Sequence, residues 1–127
     1  MKKTIFLTGI LLGVSAIILG AFAAHGLEKV LSTEQLITFE TGVRYQMYHA
    51  LFLLVLGNLS FLNKKSKRLV FYCVLIGVIL FSFSIYLLAT NPLTSMDFKT
   101  IALATPLGGL FLISGWIILG YSAFKDI

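Results

Sequence analysis

The residues of this chain with the widest chemical repertoire are two histidines and the polar run beside one of them. His25 closes one apolar stretch, and Arg44-Tyr45-Gln46-Met47-Tyr48-His49 opens another. A neutral imidazole can ligate a metal or haem iron, pass a proton, or serve as an interhelical hydrogen-bonding group. Gln46, His49, Ala50, Leu53 and Gly57 recur at helical spacing and share one face, and Tyr45 and His49 are neighbours one turn apart. His49 then lies ~7 Å deeper than Arg44 along the helix. His25 and Thr105 are expected near the same outer level. Four uses of this cluster remain open. It could hold a metal or haem between His25 and His49, although two histidines without a third ligand define no geometry. It could bind a lipid headgroup, a quinone or another amphiphile, with Arg44 and the tyrosines as donors. It could line a proton or ion path, although no Asp or Glu lies deep in an apolar stretch. The simplest use is structural: Gln46 and His49 as hydrogen-bond glue between helices, Tyr45 and Tyr48 as an interfacial belt. No Ser/His/Asp, Cys/His or paired-carboxylate set converges at a catalytic spacing, so a non-enzyme is expected. Cys73, the one cysteine, reads as a packing residue, and no metal or other cofactor is expected.

The elements that must position these residues are four apolar stretches, approximately 4–24, 45–62, 69–88 and 101–124. A run of ~18 or more apolar residues is long enough to cross a bilayer as a helix. The chain of 127 residues is 58% hydrophobic and 12% charged, where a soluble domain carries about 25% charge. One membrane domain, residues 1–127, accounts for the whole length. The net charge of +5 does not imply a nucleic-acid partner, because the basic residues collect at the ends of the apolar stretches. Lys2 and Lys3, an apolar run and Ala21-Phe22-Ala23 imitate a signal peptide. The run is longer than a signal core, however, and Gly9, Gly13, Ala16, Gly20 and Ala23 form a small-residue stripe suited to close helix packing. A retained first helix is expected. Ala104, Gly108, Gly115 and Ser122 form a second stripe in the fourth stretch. The third stretch, broken only by Cys73, Gly77, Ser82 and Ser84, reads as a lipid-facing wall.

Lys2, Lys3, Lys64, Lys65, Lys67, Arg68 and Lys125 fall on one side of a four-span arrangement, and the positive-inside rule puts them in the cytoplasm. Both termini are then cytoplasmic. Lipid headgroups are a second use for the charges of the 63–68 loop. On the outer side, His25-Gly26-Leu27 suggests a Schellman-type helix stop. Ser32 to Gln35 reads as a capping box with Leu31 and Leu36 as its staple, predicting one helix from Thr33 to Leu62 with a Glu40–Arg44 pair on its surface. Ser95 is expected to cap a short turn through Asp97 and Lys99. Thr105-Pro106 reads as the start of the fourth helix, or a kink in it, with Thr105 as N-cap.

Gly20-Ala21-Phe22-Ala23-Ala24-His25-Gly26-Leu27, Val43 to Leu51, Thr105 to Gly109 and Gly115-Trp116 resemble, in order along the chain, the small uncharacterised membrane proteins of the YgdD/YwdK type and the similar transmembrane-protein-256-like proteins. Both histidines fall in the matching motifs; Ala23 departs where the family often has glycine. The resemblance implies a multi-pass protein of the inner or plasma membrane with four spans, and supplies no activity. The expected molecule is all-α: four transmembrane helices in an antiparallel bundle, both termini cytoplasmic, with short amphipathic helical segments on the outer face. Its expected function is non-enzymatic binding of lipid, of a second copy or of a partner membrane protein, at the stripes of Gly9, Gly13, Gly20, Gly108 and Gly115 and at the His25/Arg44/His49 region. The alternatives are a small-solute or proton carrier, or a haem- or quinone-binding subunit using His25 and His49.

Overall fold

The first helix, α1 (Lys2–His25), ends without the left-handed glycine expected of it. Gly26 has φ of −103°, its N–H reaches Phe22 O at 2.7 Å, and the chain tightens into a 3₁₀ turn at Leu27–Lys29. The computed structural model describes residues 1–94 and 99–127, the side chain at position 99 excepted, and all its regular elements are helical. The expected cap at Ser95 with Asp97 lies outside the described residues.

The second helix, α2 (Thr33–Asn58), begins where the capping box places it. Ser32 Oγ accepts from Gln35 N at 3.1 Å, and Gln35 Oε1 accepts from Ser32 N at 3.0 Å. It stops short of the expected Leu62: Leu59 is extended, and Asn63 caps α3 (Lys64–Val78) by accepting from Ser66 N at 2.8 Å. A single π-turn (Ile79–Phe83) joins α3 to α4 (Ser84–Ala89), so that one rod runs from Lys64 to Ala89. Short 3₁₀ turns at Asn91–Leu93 and Lys99–Leu103 lead to α5 (Ala104–Asp126). Thr105 is not the N-cap of α5, because the helix starts one residue earlier and the Thr105 hydroxyl is engaged elsewhere. Arg44 donates to Thr41 Oγ1 at 3.2 Å, and among the described residues the expected Glu40–Arg44 pair does not form.

Among the described residues three rods are long and apolar enough to cross a membrane: Lys2–Lys29, Lys64–Ala89 and Thr100–Asp126. The α2 helix is long enough, but Glu40, Arg44, Gln46 and His49 lower its apolar content. It runs antiparallel to α1 over nearly the full length of both. Gly57 meets Ile5 and Phe6, Gly9 meets Ala50 and Leu53, Gly20 meets Val43, and Ala23 clusters with Phe39.

The helices form an open row. Among the long helices α1 packs on α2, α2 also packs on the α3–α4 rod, and α5 packs on that rod. The small-residue stripes are what make these contacts close. A β-carbon added at Gly9 would lie 2.9 Å from the Ala50 carbonyl oxygen. One added at Gly108 would meet the backbone of the π-turn, at Phe81 N and, 2.8 Å away, at Leu80 C. Both stripes are therefore occupied inside the chain.

The third stretch is not the lipid-facing wall its composition suggests. In its most apolar window 44% of residues are buried, against 22% and 17% in the first and last rods. Val70, Phe71, Val74 and Val78 fill the main core with Ile5, Leu53, Leu56 and Leu112. A uniformly apolar helix shows no face in its sequence. Its side is chosen by the partners on either flank, here α2 and α5.

Candidate functional site

Gln46 stands near the middle of α2, opposite the middle of α1, and is fully buried. A primary amide there must find partners, since water does not reach it. Its Nε2 donates to Leu12 O at 2.9 Å and to Ser15 Oγ at 2.7 Å, both on α1. Its Oε1 accepts from Tyr86 Oη on α4 at 2.6 Å. The Ser15 hydroxyl in turn donates back into its own helix, to Leu11 O at 2.8 Å. Gly42 provides the space for this arrangement: a β-carbon on it would stand 2.7 Å from Tyr86 Cε1. The Gly42 carbonyl also accepts from Ser82 Oγ, in the π-turn, at 2.8 Å.

His49 lies one turn further along α2 and is 4% exposed. Its Nδ1 is 2.8 Å from Tyr45 O, an acceptor only, so Nδ1 carries the hydrogen. Its Nε2 is 3.1 Å from Trp116 Nε1, an indole N–H that can only donate. These two partners select the neutral ring with Nε2 as acceptor. Trp116 also packs on Phe52, with ring centroids 4.5 Å apart. A last bridge, Ser84 Oγ to Thr105 Oγ1 at 2.6 Å, joins α4 to α5. Among the described residues α1, α2, the α3–α4 rod and α5 are each tied to a neighbour by at least one of these bonds, and no buried side-chain nitrogen or oxygen lacks a partner.

The residues expected to form one site are thus divided. Gln46, His49 and Thr105 join the polar layer. Tyr45 and Tyr48 are exposed on the outer flank of α2, edge to face with each other, and Tyr45 also touches Phe81. Arg44 is exposed. His25 is exposed at the end of α1 and does not share the level of His49. The α1–α2 register puts His49 beside the Gly9–Gly13 segment, about 20 Å from His25 at 1.5 Å per residue. The two rings cannot bind one iron or one metal ion in this arrangement. Among the described residues no three of His, Cys, Asp and Glu converge either. Five members of the layer were not anticipated as such: Ser15, Ser82, Ser84, Tyr86 and Trp116. Each is a hydrogen-bonding group in an apolar stretch, and that contrast was the available signal.

A groove of about 340 Å³ opens beside this layer, between α2 and α5. Tyr45, His49 and Phe81 form one wall, with Leu112, Ile113 and Trp116 opposite. Gly109 leaves its floor open, the nearest neighbour of an added β-carbon being Phe81 Cδ2 at 3.9 Å. Trp116 separates it from a second groove of about 280 Å³ along Phe52, Val55 and Leu119. Trp116 is 53% exposed, so its indole lies on the bundle surface with only its N–H turned inward.

Comparison with known proteins gives a family and no activity. Residues 19–109 match the family described as "Protein of unknown function (DUF423)". A UPF0382 membrane protein of Haemophilus influenzae is 39% identical, covering 99% of this chain and 98% of its own. One from Staphylococcus haemolyticus is 36% identical over 98% of both chains. The UPF0382 membrane protein YwdK of Bacillus subtilis is 35% identical over 97% of this chain and 98% of its own. No solved structure matches.

Proposed function

The chain belongs to the DUF423 family, whose relatives are named UPF0382 membrane proteins, and from that premise we propose that it is a four-span, non-enzymatic protein of the plasma (inner) membrane that holds a lipid chain in its α2–α5 groove. The fourth span is α2. It lies along α1 from Gly57 to Phe39, so a bilayer crossed by α1 is crossed by α2 at the same depth. Its Gln46 and His49 side chains face other helices, as intramembrane polar residues do. Arg44, level with the outer part of α1, reaches the interface by extending its side chain. The cytoplasmic placement of both termini follows from the seven cations at one end of the bundle.

The observation that carries the binding reading is the contrast between the interior and the groove. Inside, Gln46, His49, Ser82 and Ser84 are spent on holding helices together. The two small-residue stripes, the expected meeting place for a partner, are spent in the same way. The α2–α5 groove is a concave, apolar surface that these contacts leave open, and it opens where lipid chains lie. A methylene chain fits its walls, and Tyr45 stands at its outer edge. The test is native mass spectrometry from mild detergent, with Gly109→Leu as the variant that fills the groove without touching the core. Wild-type protein retains lipid, and the variant retains less at equal stability. Equal retention by both, or a wild-type protein that carries none, removes the reading.

A further inference from the structure

We propose that the cytoplasmic end of the bundle is a binding site for the phosphate of an anionic phospholipid, built from the start of α1 and the start of α3. This site is at the Asn58 end of α2, away from Tyr45 near the middle of that helix, and does not depend on the groove reading. A cavity of about 420 Å³ is lined there by Met1, Lys2, Lys64, Lys67 and Arg68. Four of its five lining residues are cationic and none is acidic. Asp126, the acidic side chain at this end of the bundle, does not line it.

Topology alone explains cations on the cytoplasmic side, but it does not explain where these ones stand. The N-terminal turn of a helix carries a partial positive charge and is stabilised by acids. Both α1 and α3 have no acid in the first turn and begin with lysines. Two helix N-termini and their lysines thus point their positive ends toward one concavity. An anion between them relieves both repulsions. The cavity is also held in place. Asn63 caps α3, and Lys67 Nζ donates to Leu59 O at 2.8 Å, fixing that side chain with two of its three hydrogens still available.

An adjoining hollow distinguishes a lipid from a free ion. Lys2 also lines a mostly apolar groove of about 580 Å³ with Lys3, Phe6, Leu7 and Asn58, running down the α1 surface toward the membrane interior. Phosphate in the basic cavity and an acyl chain beside Phe6 and Leu7 are one amphiphile in the orientation a cytoplasmic-leaflet lipid already has.

The experiment uses the full chain in nanodiscs and detergent. Binding of phosphatidylglycerol and of phosphatidylcholine is measured by native mass spectrometry, with inorganic phosphate as competitor. Lys65→Gln is the control, because Lys65 shares the first turn of α3 and the charge yet does not line the cavity. Phosphatidylglycerol is expected to bind at least about tenfold more tightly than phosphatidylcholine. Arg68→Gln should weaken it about fivefold, the effect of one surface cation on an anionic headgroup, and Lys65→Gln should weaken it much less. Equal losses in the two variants would show a diffuse field and overturn the site, as would equal binding of the two lipids. Excess inorganic phosphate that displaces the lipid would overturn the lipid assignment; failure to displace it supports the joint use of cavity and groove. Both variants retain most of the charge at this end, and the folded state is checked by thermal unfolding in the same detergent.

Discussion

The Gln46–Tyr86 bond tests whether the buried polar layer acts as one unit. Gln46→Met keeps an unbranched side chain of similar length, so packing changes little. It removes three hydrogen bonds, to Leu12 O, Ser15 Oγ and Tyr86 Oη. Interhelical bonds in membranes average about 0.6 kcal/mol each and reach about 1.7. Three of them give about 2 kcal/mol, and a Tyr86 hydroxyl left without its acceptor brings the total to about 2–4 kcal/mol. Tyr86→Phe alone removes one bond and leaves Gln46 Oε1 unpaired, for about 1–2 kcal/mol. The double variant has no bond between these positions left to lose, so its cost should fall short of the sum by about 1 kcal/mol. Reversible unfolding by SDS in mixed micelles, or by steric trapping in bicelles, measures all three. Additivity within about 0.3 kcal/mol, the level found for independent sites, would refute the coupling and with it the reading of Gln46 as the centre of the layer.

Four further outcomes follow from the geometry. Gly108→Ala should destabilise by about 1–3 kcal/mol, since the added carbon meets π-turn backbone that cannot rotate away. Gly120→Ala, with nothing within 4 Å, should be neutral or slightly stabilising in the same assay. Ser32→Ala should cost about 1 kcal/mol through loss of the cap and should speed hydrogen exchange in the first turn of α2, leaving Gln46 protected. Trp116→Phe keeps an aromatic ring against Phe52 but leaves His49 Nε2 without its donor; a cost near the membrane hydrogen-bond range of about 0.6–1.7 kcal/mol is expected, and no change would show that the indole N–H does not hold the ring.

What could be read from the sequence was local or periodic. The Ser32/Gln35 box works within four residues, and both of its bonds form. The stripes through Gly9 and Gly108 repeat at helical spacing, and both become close contacts. The depth of Gln46 and His49 follows from their position past Arg44. What escaped depends on register between helices. Nothing in the third stretch announces a π-turn, because that turn is matched to Gly108 on α5 and to the Gly42 carbonyl on α2. The pairing of Ser84 with Thr105 spans 21 residues and needs both helices in place. His25 and His49 looked level only while α2 was pictured as starting outside the membrane. Once Gly57 is set beside Ile5, the two separate.

The place of α2 also explains how a helix with so many polar groups can sit inside the bundle. It packs on both α1 and the α3–α4 rod, and it reaches α5 through His49 and Phe52. An inner helix can carry Gln and His because neighbours supply their partners, whereas α1 and α5 expose one side and must stay apolar there, as Leu11, Ile17 and Ile117 do. Bond energies alone do not hold His49 to a structural role. Freeing its Nε2 from Trp116 breaks a bond worth about 1 kcal/mol, which a metal or haem would easily outweigh. The argument is geometric: a ligand at Nε2 would displace the Trp116 indole, and His25, the other imidazole, stands far up the bundle. The same reasoning directs the search for function outward. The interior bonds tie α1 to α2, α2 to the π-turn and α4, and α4 to α5, so motion that opened a path between helices would break several together. A lipid entering from the side at Gly109, or docking at Lys2 and Arg68, would break none.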